Sequence, residues 1–199
     1  MDHKIRLAQS SDAVAILRIY APYVRDTAIS FETEVPSIDA FAARMEAICG
    51  QYPYLVCETG GQIVGYAYAS RHRERAAYRY DADLSVYLSP ACQGRGLARW
   101  LYGCLYEILL KQGLANVYAG VTQPNQRSMA FHLKEGFAPI GVYRQTGWKF
   151  GKWHDVAWLG KTLRDLSRFA PGDVLPVGEL SESWLEELFR EQNAQGDSL

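Results

Sequence analysis

The chain has 199 residues, enough for one α/β domain with a full core, and its 21 Lys and Arg against 22 Asp and Glu leave a net charge of −1. That balance gives no electrostatic case for nucleic acid or an anionic membrane, and no apolar run has the length to cross a bilayer. The opening Met-Asp-His-Lys-Ile-Arg lacks the apolar centre of an export signal, and Cys49, Cys57, Cys92 and Cys104 form no C-x-x-C pair, so the expectation is a cytoplasmic protein with reduced thiols and no metal.

Lys4 to Leu7 reads as a short strand, and Ser11 or Asp12 as the cap of a helix running to about Tyr20. A loop over 27–35 leads to a second helix from Ser37 to about Cys49, with Ala40, Phe41, Met45 and Ile48 on one face. Tyr54–Glu58 and Ile63–Ser70 pair as a hairpin through Thr59-Gly60-Gly61-Gln62. Asp81–Leu88 is the fourth strand, Leu97–Gln112 the main helix, Asn116–Val121 the fifth strand and Gln126–Glu135 the next helix. Strands over 138–144 and 152–161 finish the sheet. The stretch from Arg168 to Gly178 carries two prolines and two glycines and reads as a linker. Beyond it, 181–192 is an amphipathic helix with Trp184, Leu185, Leu188 and Phe189 on one side, packed either on its own domain or on a second copy. The expected organisation is an α/β domain over 1–165 with a helical extension over 166–199.

Chemistry enters where the fourth strand ends. Gly94 and Gly96 let the backbone curl so that N–H groups converge, and the helix from Leu97 adds unpaired N–H groups and about half a positive charge. Together these form a site for a phosphate or pyrophosphate. A Rossmann loop requires a third glycine where Arg99 stands, and no stretch fits a Walker A motif. Gln93-Gly94-Arg95-Gly96-Leu97-Ala98 instead resembles the Gln/Arg-x-x-Gly-x-Gly/Ala pyrophosphate loop of the GNAT superfamily of N-acetyltransferases. Asn125, Ser128, Phe131, His132 and Gly136-Phe137 resemble that family's next block. Thr27 to Glu32, Tyr66 to Ala69, and Gly147 to Val156 are similar to its phosphinothricin and methionine sulfoximine acetyltransferase branch. The resemblance covers roughly residues 4 to 162, with the blocks in order.

It implies the GNAT acyl-CoA N-acyltransferase fold, a mixed twisted sheet flanked by helices, and acetyl transfer from acetyl-CoA to a small amino-acid-like amine, with no metal. It also suggests a homodimer. A protein amino terminus or a polyamine as acceptor, or a non-catalytic acyl-CoA-binding module, are the alternatives; the arginines at 71, 73 and 75 argue against a polyamine. The implied cofactor residues are Gln93 to Ala98, Asn125, Ser128, and the backbone of Val86, Tyr87 and Leu88 for the pantetheine arm.

Alternation puts Asp81, Asp83, Ser85 and Tyr87 on one side of the fourth strand, a polar face that needs solvent or a cleft. Asp83 falls where the branch carries a glutamate read as the general base; the side chain here is one methylene shorter. The competing reading pairs Asp83 with Arg73, Arg75 or Arg79. For protonating the leaving thiolate, His132 stands where many acetyltransferases place a tyrosine, and Tyr102 is its rival. Arg73 and Arg75 suit bidentate binding of a carboxylate or phosphinate, unless they belong to a solvated basic loop. Phe31 and Tyr78 complete the expected substrate wall, and His154 either orients substrate or bonds to Asp155.

Overall fold

In the computed structural model, which describes residues 3–196, seven strands form one sheet: β1 (His3–Leu7), β2 (Tyr54–Thr59), β3 (Gln62–Arg71), β4 (Asp81–Leu88), β5 (Asn116–Thr122), β6 (Ala138–Lys149) and β7 (Lys152–Thr162). The outermost residues of the two expected regions, 1–2 and 197–199, lie outside the described residues. The strand order is β1-β2-β3-β4-β5-β7-β6, with β4 and β5 parallel and the other neighbours antiparallel. A parallel step needs a crossover, and α3 (Leu97–Gln112) supplies it. This is the mixed, helix-flanked sheet that the resemblance implies. No helix among the described residues is long and apolar enough to cross a membrane.

Helices α1 (Ala13–Asp26) and α2 (Ile38–Cys49) cover one face, and α3 covers the other, where α4 (Gln126–Lys134) and α5 (Glu182–Gly196) also pack. Leu97, Leu101, Leu105 and Leu109 recur at helical spacing along α3 and are fully buried over Ala67, Ala69 and Ala82. The small alanines let the helix approach closely, so truncating Leu101 to Ala costs about 2–5 kcal/mol. On the opposite face Tyr54, Tyr66 and Tyr68 stack with rings within 8° of parallel, against Tyr20, Phe41 and Met45.

Helix α1 is longer than its sequence suggests. It passes Pro22 because Ile19, Tyr20 and Val24 bury beneath it, which offsets the lost hydrogen bond. Asp12 does not cap it through its side chain; its carboxylate takes Arg6 at 2.6 Å and the Gln9 N–H at 2.8 Å. β6 runs to Lys149, past the expected end at Arg144, with register breaks that the Gln145-Thr-Gly147 stretch could not signal by alternation.

The segment over 168–178 is docked at its C-terminal end. Gln112 Nε2 donates to Gln51 O at 2.8 Å and Leu175 O at 2.7 Å, and the Val177 N–H donates to Gln51 O at 3.1 Å. Between the two alternatives for the apolar stripe of α5, the structure takes the first: Leu188 is buried in the core and Trp184, Leu185 and Phe189 pack against it. Asn193 clamps the outer edge of β1, accepting from the Ile5 N–H at 2.7 Å and donating to Ile5 O at 3.2 Å. An otherwise open edge is thereby closed.

Candidate active site

The sheet opens between β4 and β5. The two pair only over Asp81–Asp83 with Asn116–Tyr118, after which β5 continues along β7 alone. The Ser89 N–H donates to Val64 O at 2.8 Å, so residues of odd number in this stretch bond toward β3. By alternation the N–H and C=O groups of Leu84 and Val86 and the N–H of Leu88 point into the opening, while the Leu88 carbonyl accepts from Tyr23. The Tyr87 backbone belongs to the β3 ladder and its ring stacks on Tyr66, so of the three expected backbones those of Val86 and Leu88 face the gap.

At the end of β4 the chain makes one 3-10 turn over Pro90–Cys92 and swings through Gly94 and Gly96, at φ +80° and +85°, into α3. Gly96 occupies the cap position and has no side chain to satisfy the first N–H groups of the helix, so these stay open to a ligand. A groove of about 530 Å³ lies over this turn, walled by Val86, Tyr87, Leu88, Gln93, Gly94, Gly96, Leu97, Ala98, Asn125 and Ser128. Arg95 lies outside that wall. Asn125 caps α4 by accepting from the Ser128 N–H at 3.1 Å, which fixes that helix start against the groove.

Tyr102 and His132 lie elsewhere. Tyr102 is fully buried and His132 nearly so, and neither belongs to the groove wall. His132 Nδ1–H donates to Ser128 O at 2.8 Å, leaving Nε2 to accept from Tyr102 Oη at 3.1 Å. Burial lowers the imidazole pKa, against a weaker opposing effect of the Ser128 carbonyl. The Tyr102 proton is thus spent on His132 and the His132 proton on the Ser128 carbonyl, in the contact between α3 and α4.

The acceptor side begins at Asp83, on the last rung before β4 and β5 part. None of the three arginines is its hydrogen-bonded partner. His72 Nδ1–H donates to Asp83 Oδ1 at 2.7 Å, and the His72 ring stacks on Tyr118 at 4.2 Å. Tyr78 and Trp158 present ring edges to His72, each at 6.2 Å. Burial raises the Asp83 carboxyl pKa, opposed by the His72 hydrogen bond and charge and by the charge of Arg73. Arg73 and Arg75 are exposed in the loop before β4.

Phe31 and His154 form a second cluster, 6.2 Å apart between ring centroids. The Phe31 ring packs against Gly147, where a Cβ would stand 2.2 Å from the ring, so only glycine fits there. The buried Lys149 Nζ donates to Val24 O at 2.6 Å and Ser30 O at 2.7 Å, pinning the loop that carries Phe31. His154 bonds to Lys149 O at 3.1 Å rather than to Asp155, whose carboxylate accepts from the Gln145 N–H. His154 also borders a cavity of about 560 Å³ shared with Ile29, Thr122 and Asn125.

Residues 5–158 match the family described as Acetyltransferase (GNAT) domain. The chain belongs to the GNAT acetyltransferase family. Among similar GNAT proteins, a phosphinothricin N-acetyltransferase of Streptomyces coelicolor is 34% identical over 164 residues, 80% of this chain and 96% of that one. The L-methionine sulfoximine/L-methionine sulfone acetyltransferase of Salmonella typhimurium is 35% identical over 157 residues, 78% of this chain and 91% of that one. The crystal structure of a GNAT superfamily phosphinothricin acetyltransferase from Sinorhizobium meliloti in complex with AcCoA superposes with a TM-score of 0.83 at 33% identity, covering 89% of this chain and 97% of that one.

Four residues at this GNAT site escaped the sequence reading. Arg127 and Lys134 line the groove from α4, and their seven-residue spacing with Ser128 and Phe131 was a readable sign of one face. Arg127 bonds to Gln93, bringing a cation onto the glycine turn. Tyr23 lines the groove from the end of α1, a position no local signal marks. His72 is the fourth.

Proposed function

We propose that this GNAT enzyme transfers the acetyl group of acetyl-CoA to the primary amine of a small amino-acid-like acceptor of the phosphinothricin, methionine sulfoximine or methionine sulfone type. The observation that carries this reading is the run from the Asp83 rung, along the free β4 edge, to the uncapped start of α3. An extended arm pairs with Val86 by β-augmentation, and a pyrophosphate meets the N–H groups after Gly94 and Gly96, with Arg127 and Lys134 supplying charge. Asp83 then stands at the acyl end of the groove, as removal of an ammonium proton requires. Arg73 and Arg75 offer the acceptor's acid group two guanidinium forks, with Tyr78, Phe31 and His154 shaping the wall. In this reading Tyr102 and His132 brace α4 rather than move protons.

The reading includes a catalytic region over 1–165 braced by the extension over 166–199, and a cytoplasmic homodimer. The four free cysteines support a reducing compartment. The exposed Ile140, Tyr143, Trp148, Phe150 and Trp153 on the β6–β7 arm support a second copy as its cover.

The test is thiol release from acetyl-CoA with phosphinothricin, methionine sulfoximine, methionine sulfone, ordinary amino acids, polyamines and a short peptide. Turnover confined to amino-acid-like amines, and lost in Asp83→Ala, is the expected result. Turnover on the peptide or polyamines alone overturns the acceptor class, and acetyl-CoA binding without turnover favours a binding module.

A further inference from the structure

The residue after β3, His72, is tied to Asp83, on the last rung that β4 shares with β5. The Asp83 carboxylate takes its Nδ1–H at 2.7 Å, and among the described residues no hydrogen-bond partner is found for Nε2. The ring cannot swing freely. It is stacked on Tyr118 with planes 21° apart, and Trp158 and Tyr78 close two further sides. Tyr118 is also the rung partner of Asp83, so the pair sits where β4 and β5 separate.

We propose that His72 accepts the proton of the acceptor ammonium through Nε2, with Asp83 holding Nδ1–H and the ring orientation behind it. This rests on the acetyltransferase reading above and names its base. Three physical points favour the imidazole as the terminal acceptor. An aspartate is a methylene short of the glutamate that the family resemblance leads one to expect, and the ring of His72 extends the reach of Asp83 beyond that loss. An imidazole takes and releases a proton near neutral pH, which a carboxylate does less well. A carboxylate bonded to Nδ1 fixes the tautomer that leaves Nε2 free to accept and stabilises the imidazolium that results. Other titratable groups near the pair are Asp81 on β4, Tyr68 on β3, Tyr118 on β5, Tyr52 before β2, and Arg73 and Tyr78 in the loop.

The proton balance is closed. The ammonium gives one proton to Nε2, and the freed nitrogen lone pair forms the C–N bond at the thioester carbon. The C–S bond breaks, and the nitrogen's second proton goes to the departing thiolate. The products are an amide, a free thiol and an imidazolium that returns its proton to water.

Two variants separate this role from a structural one. His72→Gln keeps a donor for Asp83 and cannot accept the proton; His72→Phe keeps the stack on Tyr118. Both are expected to bind acetyl-CoA within about twofold of the wild type by calorimetry and to lose kcat on the order of 10²–10⁴-fold. The acidic limb of the wild-type kcat/KM profile is expected to vanish in His72→Gln. A His72→Gln enzyme that keeps kcat within about threefold with its acidic limb intact overturns the assignment and returns the base role to Asp83 alone. A wild-type chain that acetylates no amine of the panel overturns the underlying reading, and this assignment with it.

Discussion

Tyr23 donates its phenol proton to the carbonyl of Leu88 at 2.6 Å, reaching from α1 to the last residue of β4. Its oxygen also accepts from Gln93 Nε2 at 2.9 Å, so one hydroxyl ties the strand end to the glycine turn. The ring itself is held edge-on by Tyr87 at 5.1 Å and does not depend on the hydroxyl. Tyr23→Phe should therefore keep the fold and loosen the turn. One hydrogen bond of about 1 kcal/mol corresponds to a rise of about fivefold in the acetyl-CoA Kd, read by calorimetry, with little change in kcat. An unchanged Kd would mean that the turn holds its shape without the phenol.

The turn makes a stronger demand at Gly96, whose φ of +85° lies where an L side chain crowds the following carbonyl. Gly96→Ala carries about 1–2 kcal/mol of strain, or relieves it by moving the first N–H groups of α3 off target. Either way the acetyl-CoA Kd should rise about tenfold. Gly103→Ala, in the interior of the same helix with open space at its Cβ, is the control and should gain about 0.5–1 kcal/mol of stability. Equal Kd values for the two variants would show that the turn carries no ligand.

The Tyr102–His132 pair predicts stability rather than rate. Burial holds the His132 pKa below its ordinary value, so the unfolded chain binds this proton more readily than the folded one. The contribution is fully present above the ordinary histidine value of about 6.5 and is lost as pH falls from there toward the lower folded value. Tyr102→Phe leaves His132 Nε2 buried without its donor and should cost about 1–3 kcal/mol in urea unfolding, with kcat within about threefold of wild type. A large fall in kcat with unchanged stability would restore Tyr102 as the acid.

Much of this was written locally in the chain. The ends of β4 and α3 could be read from strict alternation and from glycines at both helix ends, Gly96 and Gly113. The glycine turn was legible because its chemistry lies in consecutive residues. His72 was not, although the hairpin register contains it. Ser70 pairs with Asp83 across β3 and β4, so the residue two further on is the diagonal neighbour on the same face. That register is invisible without the structure, because a long loop separates the strands and the nearby arginines offered simpler partners. The burial of Tyr102 and His132 was hidden for a related reason: helical spacing gives a face but not the direction in which α4 turns it.

Far from the groove, Arg6 joins the first strand to the start of α1. Its guanidinium bonds to Asp12 at 2.6 and 3.0 Å and to Glu58 at 2.9 Å. Burial of Asp12 works against its charged form, but the Arg6 hydrogen bonds and the Gln9 N–H outweigh it and hold the carboxyl below its ordinary range. A depressed carboxyl stabilises the fold above its unfolded pKa of about 4, and that stabilisation is lost as pH falls through the lower folded value. Asp12→Asn, which keeps the shape and removes the charge, should cost about 1–3 kcal/mol at pH 7. The gap between wild type and variant in urea melts should then narrow as pH drops below about 4. A gap that stays constant down to the acid transition would assign the loss to hydrogen-bond geometry alone and remove the charge of Asp12 from the account.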